Sequence, residues 1–217
     1  MESKSNTVRV WDPLVRIFHW SLVVSFAVAY LSSEKGEGVH EISGYIAFGL
    51  ILFRILWGFI GSQHARFSDF IYSPQAVVGY LRSLLTTHPK HYLGHNPAGG
   101  WMVVLLLLGV LATGFTGIKL LAVEEGRGPL AQVEVPALVS PAYADRDEDE
   151  GGEGNAQGEG GAGEEFWEEA HEVAANLTLL LVFLHVLGVV VSSRLHRENL
   201  VRAMVTGNKN LAEKDSA

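Results

Sequence analysis

Four long runs of apolar residues alternate with polar segments along the 217-residue chain. Each run holds about 20 residues, the length that an α-helix needs to cross the hydrocarbon core of a bilayer. Asp12-Pro13 and Asn96-Pro97 precede two of the runs, and a capping residue followed by proline is a helix-start signal. The pattern therefore predicts an all-α protein, a four-helix transmembrane bundle, with spans over roughly residues 13–32, 41–61, 98–121 and 168–193.

Lysine and arginine are unevenly distributed between the two ends of these spans. The N-terminal flank, the 61–97 connection and the C-terminal flank together hold 11 of them, the other flanks hold four, and Arg54 lies inside the second span. Because short cytoplasmic flanks are enriched in positive charge, we expect both termini to be cytoplasmic. The predicted location is the inner (plasma) membrane of a bacterium, where lipid surrounds the bundle.

The formal net charge of −8 comes from one segment. Residues 124–172 hold 15 of the 24 carboxylates and two arginines, a net charge of −13, and the remaining residues sum to +5. Seven glycines lie between residues 151 and 163, and such a sequence buries too little apolar surface to order itself. A disordered, acidic, glycine-rich insertion is therefore predicted over roughly residues 124–163, as a long external loop between the third and fourth spans.

The chain contains no cysteine. This excludes disulfides, thiolate-bound zinc, iron–sulfur centres and haem attached covalently through a C-x-x-C-H motif. No nucleic-acid partner is expected.

Four of the nine histidines lie in or at the edge of spans: His19, His40, His171 and His185. An ionisable side chain in a bilayer is costly without a partner, so a functional role is the default interpretation. The other five are expected to be exposed or interfacial. His171 and His185 are 14 residues apart, about 21 Å along one face of a helix. Counted from the helix ends, the depths predict two pairs, His19 with His185 near the cytoplasm and His40 with His171 near the outside.

Two facing imidazoles without further ligands favour haem over other metal centres. Zinc and copper sites usually recruit three or four protein ligands, whereas haem iron takes two axial imidazoles and the porphyrin supplies the other nitrogens. Arg16 and Arg54 are predicted to neutralise haem propionates, although Arg16 has the alternative of snorkelling to the interface. Small residues on the same faces either leave room for the macrocycle or tighten helix packing: Gly44, Ala47, Ala174, Ala175 and Thr178.

These residues stand in motifs that resemble those of the bacterial cytochrome b561 and Ni,Fe-hydrogenase b-type cytochrome family of di-haem membrane proteins. The resemblance covers nearly the whole chain except residues 122–163. The matching segments are residues 10–13, 16–20, 40–45, 54–58, 92–100, 165–167 and 192–200, together with His171 and His185.

This resemblance implies two non-covalent haem b groups with His19, His40, His171 and His185 as axial ligands of the iron. It also implies electron exchange between the quinone pool and a partner outside the membrane. The acidic insertion departs from the family pattern and leaves the identity of that partner open.

Transmembrane electron transfer is the preferred function, with a periplasmic partner such as a c-type cytochrome. An acidic loop would attract a basic partner of this kind, or act only as a solvated spacer. Three alternatives stay open: a quinone-coupled superoxide oxidase, which an acidic outer surface disfavours; the membrane anchor of a hydrogenase-like oxidoreductase; and a haem-free four-span transporter. An electron-transfer protein or oxidoreductase subunit is thus favoured over a stand-alone enzyme. Quinone or quinol is the expected second ligand, and suitable donors on the cytoplasmic side are His64, Arg66, Arg82, His95 and Asn96.

Overall fold

The computed structural model describes residues 7–34, 37–86, 90–131 and 157–210. A short strand, β1 (Thr7–Arg9), precedes the long helices α1 (Pro13–Ser32) and α2 (Glu37–Ile60). The next connection holds a 3₁₀ turn (Gln63–Ala65) and two short helices, α3 (Phe67–Phe70) and α4 (Pro74–Ser83). The C-terminal half contains α5 (Pro97–Glu124), α6 (Gln157–Leu195), α7 (Leu200–Thr206) and β2 (Asn208–Asn210).

Helices α1, α2, α5 and α6 are long and apolar enough to cross a membrane, with mean hydropathies between 1.7 and 2.4 in their most apolar windows. Large apolar side chains such as Leu31, Leu56 and Phe59 are exposed on their outer faces. Such a surface is unfavourable in water but is solvated by lipid, and helices satisfy their own backbone polar groups there. The predicted four-helix transmembrane bundle is confirmed.

The four helices pack in chain order, α1 against α2, α2 against α5, and α5 against α6. Where α1, α2 and α5 meet, a cluster of buried apolar side chains forms the core: Phe18, Ala47, Ile51, Leu107 and Val110. Helices α5 and α6 come especially close at Gly109, where an added Cβ would lie 2.8 Å from the hydroxyl oxygen of Thr178. Small residues permit this approach of two backbones in a membrane.

Both ends of the described chain lie at the same end of the bundle. Strand β1 pairs antiparallel with β2, with Val8 opposite Lys209. Close by, Nη1 of Arg16 donates a hydrogen bond of 2.7 Å to the carbonyl oxygen of Val205 in the last turn of α7, a group that has no partner within its helix. This contact ties α1 to the C-terminal segment. The side of the membrane on which the two ends lie stays a prediction.

Asp12 joins α1 to α2 at that same end. As the N-cap of α1 it accepts a 2.9 Å hydrogen bond from the amide of Val15, and its second oxygen accepts from the hydroxyl of Ser62 and from Nε1 of Trp57. Burial alone would raise the pKa of Asp12, but these hydrogen bonds to the ionised carboxylate outweigh it and hold the pKa below its usual value.

Helix boundaries differ from the sequence prediction at three of the spans. Helix α2 begins at residue 37 rather than 41, α5 runs from 97 to 124, and α6 begins at 157 rather than near 168. Residues 157–163, for which the sequence predicts disorder, are therefore helical, because the glutamates that follow favour helix and carry α6 beyond the membrane. The 39 residues of α6 reach about 58 Å, against a hydrocarbon core of about 30 Å. Residues 132–156 of the predicted insertion lie outside the described residues.

Candidate functional site

His40 and His171 face each other at the end of the bundle opposite the β1–β2 pair, with their ring centroids 6.0 Å apart. We call them the outer pair. Nδ1 of His40 lies 2.9 Å from the carbonyl oxygen of Ala29, and Nδ1 of His171 lies 3.1 Å from that of Thr113. A carbonyl oxygen only accepts hydrogen bonds, so Nδ1 of each ring carries the proton and Nε2 keeps a free lone pair. This is the usual arrangement of a metal-binding histidine.

His19 and His185, the inner pair, lie closer to the β1–β2 end with their ring centroids 6.4 Å apart. Nδ1 of His19 is buried and has no hydrogen-bond partner among the described residues. A buried nitrogen without a partner destabilises a fold by about 1–3 kcal/mol. Among the described residues, the ring of His19 is therefore not held by a hydrogen bond through Nδ1 in the way that the rings of His40 and His171 are.

Both centroid separations fit two imidazoles bound on opposite sides of one metal ion. A bond of about 2 Å from metal to nitrogen and about 1.1 Å from that nitrogen to the ring centre give about 6 Å between the centroids. Within the described ranges, no three His, Cys, Asp or Glu side chains are grouped to hold a bare metal ion, whereas haem needs only two protein ligands. The structure thus brings together the two predicted pairs. Their role as haem ligands stays a prediction.

Room for a planar cofactor is present beside the outer pair. Gly44 follows His40 by one turn of α2, and a Cβ added there would meet nothing within 4 Å. One turn further, Ala47 belongs to the packed core. Thr178 is fully buried and fills the close contact with Gly109. Of the small residues that the sequence singles out, Gly44 thus leaves space and Thr178 tightens helix packing.

Both arginines predicted to hold propionates keep a buried donor. Arg54 is only 3% exposed, its Nη1 has no partner among the described residues, and its guanidinium lies 5.6 Å and 5.7 Å from the ring centroids of Phe67 and Phe70. Those ring faces stabilise the cation without neutralising it. Arg16 reaches the inner end of the bundle, where its Nη1 donates to the carbonyl oxygen of Val205 in α7. Its Nε is buried and has no partner among the described residues. Both donors fit a carboxylate.

His95 is half-buried at the inner end of the bundle, directly before the N-cap of α5. Its ring centroid lies 4.6 Å from that of Trp11 and 4.7 Å from that of Phe70, and its Nδ1 is buried without a partner among the described residues. Burial, with a contribution from the nearby positive charge of Arg54, lowers the pKa of His95 to about 3. The available signal in the sequence was its place directly before the N-cap of a span.

The other predicted quinone donors lie in the connections at the same end of the bundle. Nδ1 of His64 lies 2.9 Å from a carboxylate oxygen of Asp69, and Asn96 caps α5 by accepting from a backbone amide. Arg66 and Arg82 are exposed. His64 lies beside the segment that holds His95 and Asn96, since a Cβ added at Gly94 would lie 3.0 Å from Nδ1 of His64.

A comparison with protein families decides the assignment. The family described as prokaryotic cytochrome b561 matches residues 10–207. The chain belongs to this family. The resemblance seen in the sequence motifs is confirmed, and family membership supports a haem b cofactor and a role as a b-type cytochrome in electron transport.

Several curated relatives are similar to this cytochrome b561 family member, and each is named a probable Ni/Fe-hydrogenase B-type cytochrome subunit. The protein from Azotobacter chroococcum mcd 1 is 27% identical over 158 residues, covering 59% of this chain and 65% of the relative. The protein from Rhizobium leguminosarum bv. viciae is 28% identical over 153 residues, covering 56% and 63%. The protein from Bradyrhizobium diazoefficiens is 32% identical over 120 residues, covering 42% and 48%. The chain thus spans less than two thirds of the length of these relatives, and no solved structure matches it significantly.

Proposed function

We propose that this cytochrome b561 family member is a di-haem b-type cytochrome that carries electrons across a bacterial inner membrane, between the quinone pool and a redox partner on the outer side. The observation that carries this proposal is the presence of two facing histidine pairs, 6.4 Å and 6.0 Å between centroids. In each pair, haem b would supply a one-electron iron couple.

His40 with His171 would hold one haem, and His19 with His185 the other. The two histidines of α6 are 14 residues apart, or about 21 Å along the axis, so the pairs occupy two depths of the bilayer. With two imidazoles as its protein ligands, each haem iron would have no position left for a substrate. This favours electron transfer over a reaction catalysed at the metal.

Two buried cationic donors without a partner among the described residues suit a haem propionate. Arg54 and Arg16 lie toward the inner end, where Arg54 has a free Nη1 and Arg16 a free Nε among the described contacts. Charge-assisted hydrogen bonds of this kind are about twice as strong as neutral ones. These arginines would position the inner haem by its carboxylates.

The β1–β2 end of the bundle is proposed to be cytoplasmic. The two chain ends meet there, and the flanks that the sequence places on this side hold 11 of the 16 lysines and arginines. Positive charge next to spans favours the cytoplasmic side. The haem held by the inner pair would then exchange electrons with the quinone pool near the cytoplasmic surface.

Two observations bear on the outer partner and favour different classes. Beyond the membrane, α6 exposes a row of carboxylates that would attract a basic c-type cytochrome and speed association at low salt: Glu164, Glu165, Glu168, Glu169 and Glu172. The names of the relatives instead favour a hydrogenase-like oxidoreductase as a stable partner. A soluble cytochrome predicts electron transfer that slows with salt, whereas a stable subunit predicts co-purification in a fixed ratio.

A reduced-minus-oxidised absorption spectrum and a haem assay of the purified full chain test the proposal. The expected result is b-type bands and about two haems per chain. A protein without b-type bands, or one with a single haem, would contradict it.

A further inference from the structure

Lys119 is a buried cation on α5. From the sequence it is expected only to be one of the four basic residues in the outer flanks. Its side chain is 6% exposed, and Arg54 and Lys209 are the other buried cations among the described residues. Lys209 forms an ion pair of 3.4 Å with Glu198. No carboxylate of the described ranges forms an ion pair with Lys119 or with Arg54. A charged side chain with so little exposure is costly without a counter-anion.

The surroundings of Lys119 stabilise the cation without neutralising it. Its Nζ lies 5.7 Å from the ring centroid of Trp167, and cation–π contacts supply only part of what a carboxylate would. Arg127, a second cation at this end of the bundle, is already paired with Glu125 and Glu41. The ammonium of Lys119 is therefore able to pair with an anion that does not belong to the described side chains.

Lys119 lies close to His171 of the outer pair, on the neighbouring helix α5. Trp167 precedes His171 by one turn of α6, and Gly117, two residues before Lys119, approaches the ring so closely that an added Cβ would lie 3.0 Å from Cε1 of His171. A group held between His40 and His171 would thus have its edge within reach of this part of α5.

We propose that Lys119 binds a propionate of the haem held by the outer pair, as an ammonium–carboxylate contact that positions this haem and raises its midpoint potential. The proposal rests on the proposed di-haem function. Haem b carries two carboxylates on one edge, which are the anions that a haem brings into the bundle. A buried cation would then lie at each haem, with Arg54 beside the inner pair in addition to Arg16 and Lys119 beside the outer pair.

The test compares three variants of the full chain, purified with haem bound. Lys119→Met keeps the apolar stem and removes the charge, Lys119→Arg keeps the charge, and Arg127→Met removes one exposed charge at the same end. Haem content, the rate of haem loss to excess apomyoglobin and the two midpoint potentials are measured. A His171→Ala variant identifies which potential belongs to the outer haem.

In Lys119→Met we expect the outer haem to be lost several-fold faster and its midpoint potential to fall, because a nearby cation disfavours the more positive oxidised form. The inner haem should be unaffected, and Lys119→Arg and Arg127→Met should resemble the wild type. Equal behaviour of Lys119→Met and Arg127→Met would overturn the proposal. A wild type without two haems would instead contradict the proposed function.

If Lys119→Met does not fold with haem bound, the infrared spectrum of Lys119→Arg tests the contact between residue 119 and the propionate. Exchange of ammonium for guanidinium shifts the carboxylate band of a contacting propionate in the oxidised-minus-reduced infrared spectrum, assigned with isotope-labelled propionates. An unchanged band would exclude the contact.

Discussion

The imidazoles of His40 and His171 lie 6.0 Å apart between centroids, and each is held through Nδ1 by a backbone carbonyl of a neighbouring helix. The carbonyl of Ala29 belongs to α1 and that of Thr113 to α5, so all four spans contribute to this one pair. Because a backbone carbonyl cannot be removed by substitution, the orientation of the two rings depends on the packing of the whole bundle. The ring nitrogens left free for metal are fixed by the fold.

Replacement of His171 by alanine should remove the outer haem and spare the inner one. The haem content of the purified protein is expected to fall from about two to about one per chain, because a haem with a single axial imidazole is weakly held. His196→Ala, in the turn after α6, serves as the matched control and should keep both haems. Retention of two haems by His171→Ala would show that the outer pair does not bind iron.

Gly117→Ala should weaken the same site through its ligand. The new Cβ would lie 3.0 Å from Cε1 and 3.3 Å from Nδ1 of His171, so the ring has to shift and its bond to the Thr113 carbonyl lengthens. Loss of such a supporting contact costs about 10–100-fold in metal affinity, here measured as faster transfer of one haem to apomyoglobin.

The control for this change is Gly188→Ala on α6, where an added Cβ meets nothing within 4 Å. It carries the same gain in helix propensity, about 1 kcal/mol, without touching a ligand. If both alanine variants release haem at the wild-type rate, the contact at Gly117 is too soft to matter.

Asp12 should stabilise the inner end of the bundle. Asp12→Ala removes the N-cap of α1 and the acceptor for Ser62 and Trp57, and loss of a cap alone costs about 0.5–2 kcal/mol. Thermal unfolding in detergent is expected at a lower temperature. Asp12→Asn keeps a capping oxygen and should lose less.

The pH dependence of this contribution has a definite sign. The folded pKa of Asp12 lies below the ordinary value of 3.8, so the stabilisation is fully present above about pH 4 and is lost as the pH falls through the folded value. Asp12→Asn should lack this acid loss. An alanine variant as stable as the wild type at neutral pH would contradict the role of the cap.

The spans and the pairing of the four histidines could be predicted from the sequence because both follow from regular geometry. Apolar runs locate the helices, and a fixed rise of about 1.5 Å per residue turns positions into depths. His171 and His185 therefore fall opposite His40 and His19 once the helices alternate in direction.

The burial of His95 and Lys119 could not be predicted in the same way. His95 is covered by Trp11 and Phe70, which lie in connections whose path no periodicity defines. Lys119 lies near a span end, where a long side chain can extend into water or lie against protein. Its contact with Trp167 places it against protein. The glycine-rich composition of residues 157–163 predicts disorder, yet the residues that follow extend α6 back through this segment.

His95 should make the free energy of unfolding fall at acidic pH. Its pKa is about 3 in the folded protein against an ordinary value of 6.5, so the unfolded chain binds the proton more readily. The free energy of unfolding is therefore independent of this group above about pH 6.5 and falls as the pH drops from there toward about 3. His95→Gln does not titrate, although it loses ring contacts and is less stable at every pH. Unfolding midpoints measured between about pH 8 and pH 4 should decline more steeply for the wild type than for the variant, and parallel curves would show that His95 is protonated without cost inside the fold.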